Sequence, residues 1–408
     1  MRAAGRRPFA PRSADPTVAG PDGRQTGGMA RTASARATGP AVTTRALGRA
    51  TLARQLLLRR EARDVTGVVR DLLGLQAQVP AVPYLALWSR LDGFRPEELS
   101  QLLIDREVVR IVVMRGTVHL VTADDCLVLR PLVQPVLDKE IARHPEYSPA
   151  LVGVDLAPVL AFVRELVADR PHSGRQLRAA LADRFPEHHA PALAYACRNF
   201  LAFVQVPPRG LWGRSAQVSS TTAEAWLGRP LAVDPSIDDV VLRYLGAFGP
   251  ATVADVAAWS RLTGFREVVE RLRPRLRTFR DERGRELFDL PEAPRPDPDT
   301  PAPARFLPEY DNVLLSHADR TRFASDEDRR RLSAGERPVK GTVLHDGTTV
   351  ATWWIDRPKG SATATIVVDH LGGLTAQALA EVGSEAAEVV RFQAGDAEAH
   401  DVRLVALD

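Results

Sequence analysis

An eight-residue segment occurs twice in the chain, and this repeat constrains the fold more than any other feature. Residues 88–95 read WSRLDGFR and residues 259–266 read WSRLTGFR, which agree at seven of eight positions. After each copy the pattern predicts a short helix and then two strands, at 108–121 after the first copy and at 277–290 after the second. Helices followed by a β-hairpin are typical of a winged helix, so the repeat predicts two winged-helix units.

A third unit of the same kind is predicted between the two copies. Ser173 is a suitable N-cap for a helix at 174–185, a second helix is predicted at 190–204, and residues 205–219 have the composition of a wing. Strand patterns dominate the chain beyond a Pro- and Asp-rich segment, and one helix at 375–390 interrupts them. This last region predicts a small β-rich domain, which could form a partial barrel.

The predicted fold class is therefore α+β, with three tandem winged-helix units and a small β-rich C-terminal domain. Residues before Thr43 contain almost no large apolar side chain, so they cannot bury enough surface to fold, and Met29 could be the true start. The predicted domains are a disordered basic segment at 1–42, winged helices at 43–150, 151–235 and 236–290, and a linker with the β-rich domain at 291–408.

Composition excludes several classes of protein. No stretch approaches the ~20 consecutive apolar residues that a membrane helix needs, and no apolar core of a secretory signal follows the arginine-rich start. Cys126 and Cys197 lie far apart, which argues against a zinc site or a disulfide. Nucleotide-binding and zinc-hydrolase motifs are also missing from the sequence. We expect a cytoplasmic, nucleoid-associated protein that uses no metal and no cofactor and does not bind membranes.

The positive charge is unevenly distributed along the chain. Residues 1–42 contain seven arginines and two acidic residues, a net charge of +5, whereas the whole chain carries +3. The remainder is therefore net negative, and any affinity of the folded part for nucleic acid must come from local patches. The residues predicted to contact DNA lie on wings and turns: Arg115, Thr117, His119, Arg209, Arg214, Arg261, Arg266, Arg283 and Arg285.

The first predicted hairpin has one polar and one apolar face. Alternate residues of a strand share a face, so Arg115, Thr117 and His119 are predicted to point one way, and Met114 and Leu120 the other. The polar face suits contacts with phosphates or bases, and His119 could act as a general base. An ordinary solvent-exposed hairpin explains the same pattern.

Two glutamines precede this hairpin in the sequence. Gln76 and Gln78 are two residues apart and Pro80 favours an extended backbone, in which both amides would face the same side. Two adjacent carbonyl oxygens can hold a water molecule. Two unrelated surface glutamines are the alternative.

A second polar motif lies much later in the chain, where residues 306–315 read FLPEYDNVLL. Carboxylates embedded in such an apolar, turn-forming stretch are unusual, and Glu309 or Asp311 could stabilise a cationic transition state. Turn capping or a structural ion pair is the alternative explanation.

Three short segments together resemble a known family. Residues 75–78 (LQAQ), 115–121 (RGTVHLV) and 307–315 (LPEYDNVLL) resemble the AlkZ/YcaQ-type winged-helix DNA glycosylases, over about residues 43–408. The resemblance implies tandem winged helices and a small β-domain arranged around DNA, and removal of bulky alkylated purines, including both ends of interstrand crosslinks. It also implies that Gln76 and Gln78 form the catalytic Gln-x-Gln motif. Ala77 departs from the large apolar residue usual in the AlkZ-like branch.

The sequence leaves two classes of function open. The first is a monofunctional, monomeric DNA glycosylase acting on double-stranded DNA that carries N7- or N3-alkylated purines. Such purines are cationic and leave readily, so polar groups that stabilise the sugar cation and position a water could suffice. The second is a non-catalytic winged-helix transcriptional regulator. Three winged units in one chain and an additional C-terminal domain favour the enzyme.

Overall fold

Helices and strands make up most of residues 39–333 and 340–407, the parts of the chain that the computed structural model describes. Asp64 caps the second helix by accepting a hydrogen bond from the backbone N–H of Gly67, and Pro96 begins the fourth. The first elements are α1 (Thr44–Arg54), α2 (Val65–Asp71), β1 (Leu75–Gln76), α3 (Val82–Trp88), α4 (Pro96–Ile104), β2 (Val108–Val112) and β3 (Val118–Thr122).

A six-stranded sheet joins the first two predicted winged units. The next elements are α5 (Ala123–Leu132), α6 (Gln134–Arg143), α7 (Tyr147–Ala150), α8 (Leu156–Asp169), β4 (His172–Ser173), α9 (Gly174–Arg184), α10 (Ala190–Phe200), β5 (Phe203–Gln205), β6 (Ser219–Thr222) and α11 (Ala223–Leu227). The sheet order is β1-β3-β2-β5-β6-β4. Strand β2 pairs antiparallel with β5 through Arg110 and Gln205, so the two hairpins form one continuous surface.

The second copy of the repeat has the structure that the sequence predicts. It spans the end of α13 and the start of α14 in a unit made of α12 (Ile237–Phe248), α13 (Val253–Ser260), α14 (Phe265–Leu272), β7 (Arg277–Arg280) and β8 (Glu286–Asp289). Thr252 and Asp255 form a capping box at the start of α13. A helix and a strand pair follow each copy, which confirms that part of the prediction.

The prediction of disorder before residue 43 is wrong for residues 39–42; residues 1–38 lie outside the described part of the chain. Val42 N–H donates a hydrogen bond of 2.8 Å to the carbonyl of Arg280, and Arg280 N–H donates one of 2.9 Å to Pro40. An edge strand presents unpaired backbone groups, and β7 satisfies two of them with this short segment. Even a segment without large apolar side chains is ordered by such backbone pairing.

The C-terminal region is β-rich, as predicted. It contains β9 (Arg305–Leu307), α15 (Asn312–Leu315), α16 (Asp326–Ser333), β10 (Gly341–His345), β11 (Thr348–Asp356), β12 (Thr363–His370), α17 (Ala376–Gln393) and β13 (Ala399–Ala406). The sheet order is β13-β12-β11-β10-β9, and β12 and β13 are parallel with α17 as their crossover. The terminal strands β9 and β13 do not pair with each other, so this sheet is open, and the partial barrel stays a prediction.

Buried side chains from all three predicted winged units form one apolar core. Leu73, Val109, Val204, Tyr244 and Phe265 belong to a single cluster. The mixed α+β class is confirmed, whereas the winged-helix identity and the domain boundaries stay predictions. Both cysteines are free and buried. Among the helices of the described residues, none is long and apolar enough to cross a membrane.

Candidate active site

Strand β1 holds Gln76 in the interior of the protein. Gln76 is only 6% exposed and lies opposite His119 of β3. Gly74, just before the strand, has a positive φ of 87°, and its carbonyl accepts a hydrogen bond of 2.6 Å from the Asn312 amide. The two segments that carry the family resemblance, 75–78 and 307–315, therefore meet here, and the second supports the backbone of the first.

Arg115 fixes the orientation of the Gln76 side chain. Its Nη2 donates a hydrogen bond of 2.7 Å to Gln76 Oε1, and its Nη1 donates one of 3.0 Å to the carbonyl of Trp259. Trp259 belongs to the second copy of the repeat, so the guanidinium connects the first predicted unit with the third. Burial lowers the pKa of Arg115 to about 10, which leaves it protonated at neutral pH. A buried cation therefore lies directly beside Gln76.

His119 is buried as well, contrary to the predicted exposed polar face. It is 1% exposed and lies on β3, between β1 and β2 in the sheet. Burial, together with the charge of Arg115, lowers the pKa of His119 to about 3, so the ring stays neutral. Its Nδ1–H donates to the Thr117 carbonyl at 2.9 Å, and Nε2 lies 3.3 Å from Arg115 Nη2. With both nitrogens engaged, it is a poor general base.

Gln78 differs from Gln76 in being exposed. Its Oε1 accepts a hydrogen bond of 3.3 Å from the backbone N–H of Val118. Each glutamine carbonyl thus already accepts one hydrogen bond and keeps a second lone pair, while neither NH2 group has a partner among the described residues. Gln78 and Thr117 line a cleft of about 460 Å³ between β3, α9 and α10. The free polar atoms of Gln78 are therefore available to a molecule in this cleft, whereas the buried Gln76 does not line it.

The carboxylates of the second motif occupy different positions. Asp311 is fully buried and accepts hydrogen bonds of 2.9 and 2.8 Å from the two terminal nitrogens of Arg90. It also caps α15. This is the structural ion pair that the sequence left open, and it disfavours direct catalytic support by Asp311. Glu309 is half-buried beside Tyr310, whose φ is 66°, and its role stays a prediction.

The arginines predicted to contact DNA fall into two groups. Arg214 and Arg266 are exposed, and Arg261 is exposed with its nearest carboxylate, Glu140, at 3.8 Å. The others are engaged by neighbouring groups: Arg283 and Arg285 by Asp319, at 3.0 and 2.6 Å, and Arg209 by the carbonyl of Ala216, at 2.8 Å. Contact with DNA stays a prediction for all of them.

Sequence reasoning missed four residues that line the cleft with Gln78. Tyr147, Arg178, Tyr195 and Arg198 come from α7, α9 and α10, about 70 to 120 residues beyond the motif. Arg178 lies one position beyond the buried Leu177, so the helical period places it on the solvent side. The helical period could therefore have identified Arg178 as exposed, whereas no local sequence pattern distinguishes Tyr147 and Tyr195.

Comparisons with known proteins find a matching family, a relative and a similar solved structure. The family model described as DNA glycosylase AlkZ-like matches residues 69–392. An interstrand DNA cross-link repair glycosylase of Streptomyces sahachiroi is 26% identical over 325 residues, which cover 74% of this chain and 85% of the relative. The solved structure of Streptomyces sahachiroi DNA glycosylase AlkZ superimposes with a TM-score of 0.71 at 21% identity, over 89% of this chain and 100% of that one. The last likeness establishes the shared fold.

Proposed function

The chain belongs to the AlkZ-like DNA glycosylase family, and from this premise we propose that it hydrolyses the N-glycosidic bond of N7- or N3-alkylated purines in double-stranded DNA. Membership of an enzyme family decides against the non-catalytic regulator that the sequence left open. The substrate class, the catalytic residues and the monomeric state are the proposed part. The relative's name concerns interstrand crosslinks, and we extend the proposal to unhooking of such crosslinks by this protein.

The proposal rests on the position of Gln78 at the cleft and on the buried Gln76 two residues before it. An N7-alkylated purine carries a positive charge and leaves without a strong acid, which suits a site whose histidine is neutral and whose polar groups are amides. The second lone pair of a glutamine carbonyl can face the developing positive charge on the sugar or accept a hydrogen bond from the attacking water. Arg115 keeps the Gln76 amide in one orientation, so little reorganisation is needed.

The remaining architecture is proposed to present DNA to this motif. We interpret residues 43–150, 151–235 and 236–290 as three winged helices, and 291–408 as a linker and a β-rich domain. The continuous sheet formed by the first two hairpins supports a rigid arrangement of their wings. Exposed arginines on this surface would contact phosphates, and such contacts do not depend on base sequence. An enzyme that recognises damage at any position needs contacts of this kind.

Base release under single-turnover conditions tests the proposal. One duplex carries a single 7-methylguanine and another an interstrand N7 crosslink, and the Gln78→Ala variant serves as the comparison. We expect the wild type to release the alkylated base from both duplexes and the variant to be slower by about 10- to 10³-fold, as when one preorganised polar group is lost. A wild type that releases no base from either duplex would overturn the proposed substrate class.

A further inference from the structure

We propose that the cleft beside Gln78 is a binding site for one nucleotide displaced from the duplex, with Tyr147 and Tyr195 as the stacking surface for its base. This inference rests on the proposed function, because it assigns the place where the damaged nucleotide is held. It is carried by three independent observations: an aromatic cluster, a set of exposed cations and the size of the cleft.

The aromatic cluster brings together side chains from three helices. The rings of His144 and Tyr147 stack with centroids 4.2 Å apart and planes 7° from parallel. Tyr195 contacts both of them, at 4.6 Å from His144 and 5.2 Å from Tyr147. All three side chains remain partly exposed. A cluster that only filled the core would be buried, whereas this one offers ring surface to solvent.

The cluster lies where a nucleotide in contact with Gln78 would reach it. Tyr147 and Tyr195 line the same cleft as Gln78, and Tyr195 also lines an adjoining cavity of about 490 Å³. Base–aromatic stacking tolerates any base, because every base has a π-face. The rings can therefore hold a displaced base without selecting its sequence, which is what an enzyme acting on damage at any position needs.

The charges around the rings suit a phosphate backbone. Arg178 and Arg198 are exposed and line the cleft, and Arg198 lies 5.8 Å from the ring centroid of Tyr195. Among the described residues that line this cleft, none is a carboxylate. Aromatic rings combined with exposed cations are the usual composition of a binding site for unpaired nucleotides. Glu140 of the adjoining cavity interacts electrostatically with Arg198.

The volume of the cleft indicates which nucleotides it accepts. At about 460 Å³ it lies within the range of sites for drug-sized ligands, and a single unmodified base does not fill it. The remaining volume leaves room for a substituent on N7 of the base. We infer that the site tolerates large adducts, because Tyr195 lines both this cleft and the cavity of about 490 Å³.

Equilibrium binding to three probes tests this site. The probes are an undamaged duplex, the same duplex with a one-nucleotide bulge, and a duplex with a 2′-fluorinated 7-methylguanine, whose glycosidic bond resists hydrolysis. We expect Tyr195→Leu and Tyr147→Leu each to weaken binding to the bulge and the lesion by about 5- to 150-fold, the loss expected for one base–aromatic stack. Binding to the undamaged duplex should change less than about threefold, and Tyr195→Phe should retain wild-type affinity.

Phe200→Leu provides the matched control, because Phe200 is 37% exposed on the same helix and does not line either cavity. The proposal is overturned if the tyrosine variants bind the bulge and the lesion as the wild type does, or if they lose affinity equally for all three duplexes. The bulge probe carries no alkylated base. A wild type that prefers the bulge through Tyr195 but releases no 7-methylguanine would therefore contradict the proposed substrate and leave the nucleotide site standing.

Discussion

The guanidinium of Arg115 donates a hydrogen bond of 2.7 Å to the side-chain oxygen of Gln76, although Gln76 lies in β1 and Arg115 in the turn between β2 and β3. Arg115 has a positive φ of 60°, an uncommon conformation for a residue with a Cβ. The turn thus accepts local strain in order to place the guanidinium against Gln76. We interpret Arg115 as a positioning residue for the motif.

Removing the hydrogen bond between Arg115 and Gln76 should slow base release, because Gln76 then loses its fixed orientation. We expect Arg115→Met to reduce the single-turnover rate by about 10- to 10³-fold, similar to Gln76→Ala. The double variant, Arg115→Met with Gln76→Ala, should be no slower than the slower single variant, because both changes remove the same hydrogen bond. Arg403→Met, at an exposed arginine of β13 outside the predicted DNA-contacting residues, is the control and should leave the rate unchanged. Effects that multiply in the double variant would show that Arg115 acts independently of Gln76.

The buried pair of Arg90 and Asp311 should support stability rather than chemistry. Both side chains are fully buried, so Asp311→Asn leaves an uncompensated cation inside the protein. We expect this change to lower the free energy of unfolding by about 3–5 kcal/mol, measured by denaturant titration. Glu309→Gln, at the partly exposed neighbouring carboxylate, should change it by less than about 0.5 kcal/mol. An Asp311→Asn variant with wild-type stability and no activity would instead assign Asp311 to catalysis.

The parts of the fold that the sequence predicts are those determined by local patterns. Ser173 caps a helix where the sequence predicts one, because the capping side chain and its partner Gln176 lie within three residues. The strands of the C-terminal domain follow from their β-branched residues and the turn at Asp346. Such signals do not depend on the rest of the chain.

The details of the site depend on contacts between distant residues, which leave no local pattern. Arg90 and Arg261 occupy the same position in the two copies of the repeat, yet the first is buried against Asp311, 221 residues away, and the second is exposed. The identical local sequence could not distinguish them. Likewise, the Gln-x-Gln motif was evident in the sequence, whereas Arg115 was predicted to contact DNA and Tyr195 was not identified.

Salt dependence of DNA binding should distinguish free arginines from those held by carboxylates. Each phosphate contact adds about 0.9 to the slope of log affinity against log salt. We expect Arg178→Ala to reduce that slope by about 1, because Arg178 is exposed beside the cleft. Arg283→Ala should leave it nearly unchanged, because Asp319 lies 3.0 Å from this guanidinium. Equal slopes for the wild type and Arg178→Ala would show that Arg178 does not contact a DNA phosphate.

The buried histidine should make the folded protein less stable in acid. His119 has a pKa of about 3 in the folded protein and about 6.5 when unfolded, so below pH 6.5 only the unfolded chain takes up its proton. Because of His119, the free energy of unfolding should therefore fall by up to about 1.4 kcal/mol for each pH unit as the pH is lowered from 6.5 to 3. Comparing the free energy of unfolding of His119→Gln with that of the wild type at pH 7.5 and 5 isolates the contribution of His119. The ring signals of His119 should show no titration between pH 5 and 8 by NMR.

Replacement of the two glutamines gives the most direct test of the catalytic assignment. We expect Gln76→Ala and Gln78→Ala each to slow excision of 7-methylguanine by about 10- to 10³-fold while DNA affinity changes little, because the amides act mainly in the transition state. Their effects should not add if both position one water. Duplex affinity is measured on the same proteins. Wild-type rates in both variants would show that the motif is not catalytic.

Glutamate at each position then separates the roles of the two residues. In Gln76→Glu one carboxylate oxygen can keep the hydrogen bond from Arg115 while the other replaces the free NH2 group. Its charge is balanced by the buried guanidinium, so we expect this variant to fold well and to be milder than Gln76→Ala. In Gln78→Glu the carboxylate is exposed beside the cleft and would repel the DNA backbone. We therefore expect Gln78→Glu to weaken DNA binding more than Gln78→Ala does, and equal affinities for these two variants would contradict the location of Gln78 on the DNA-binding face.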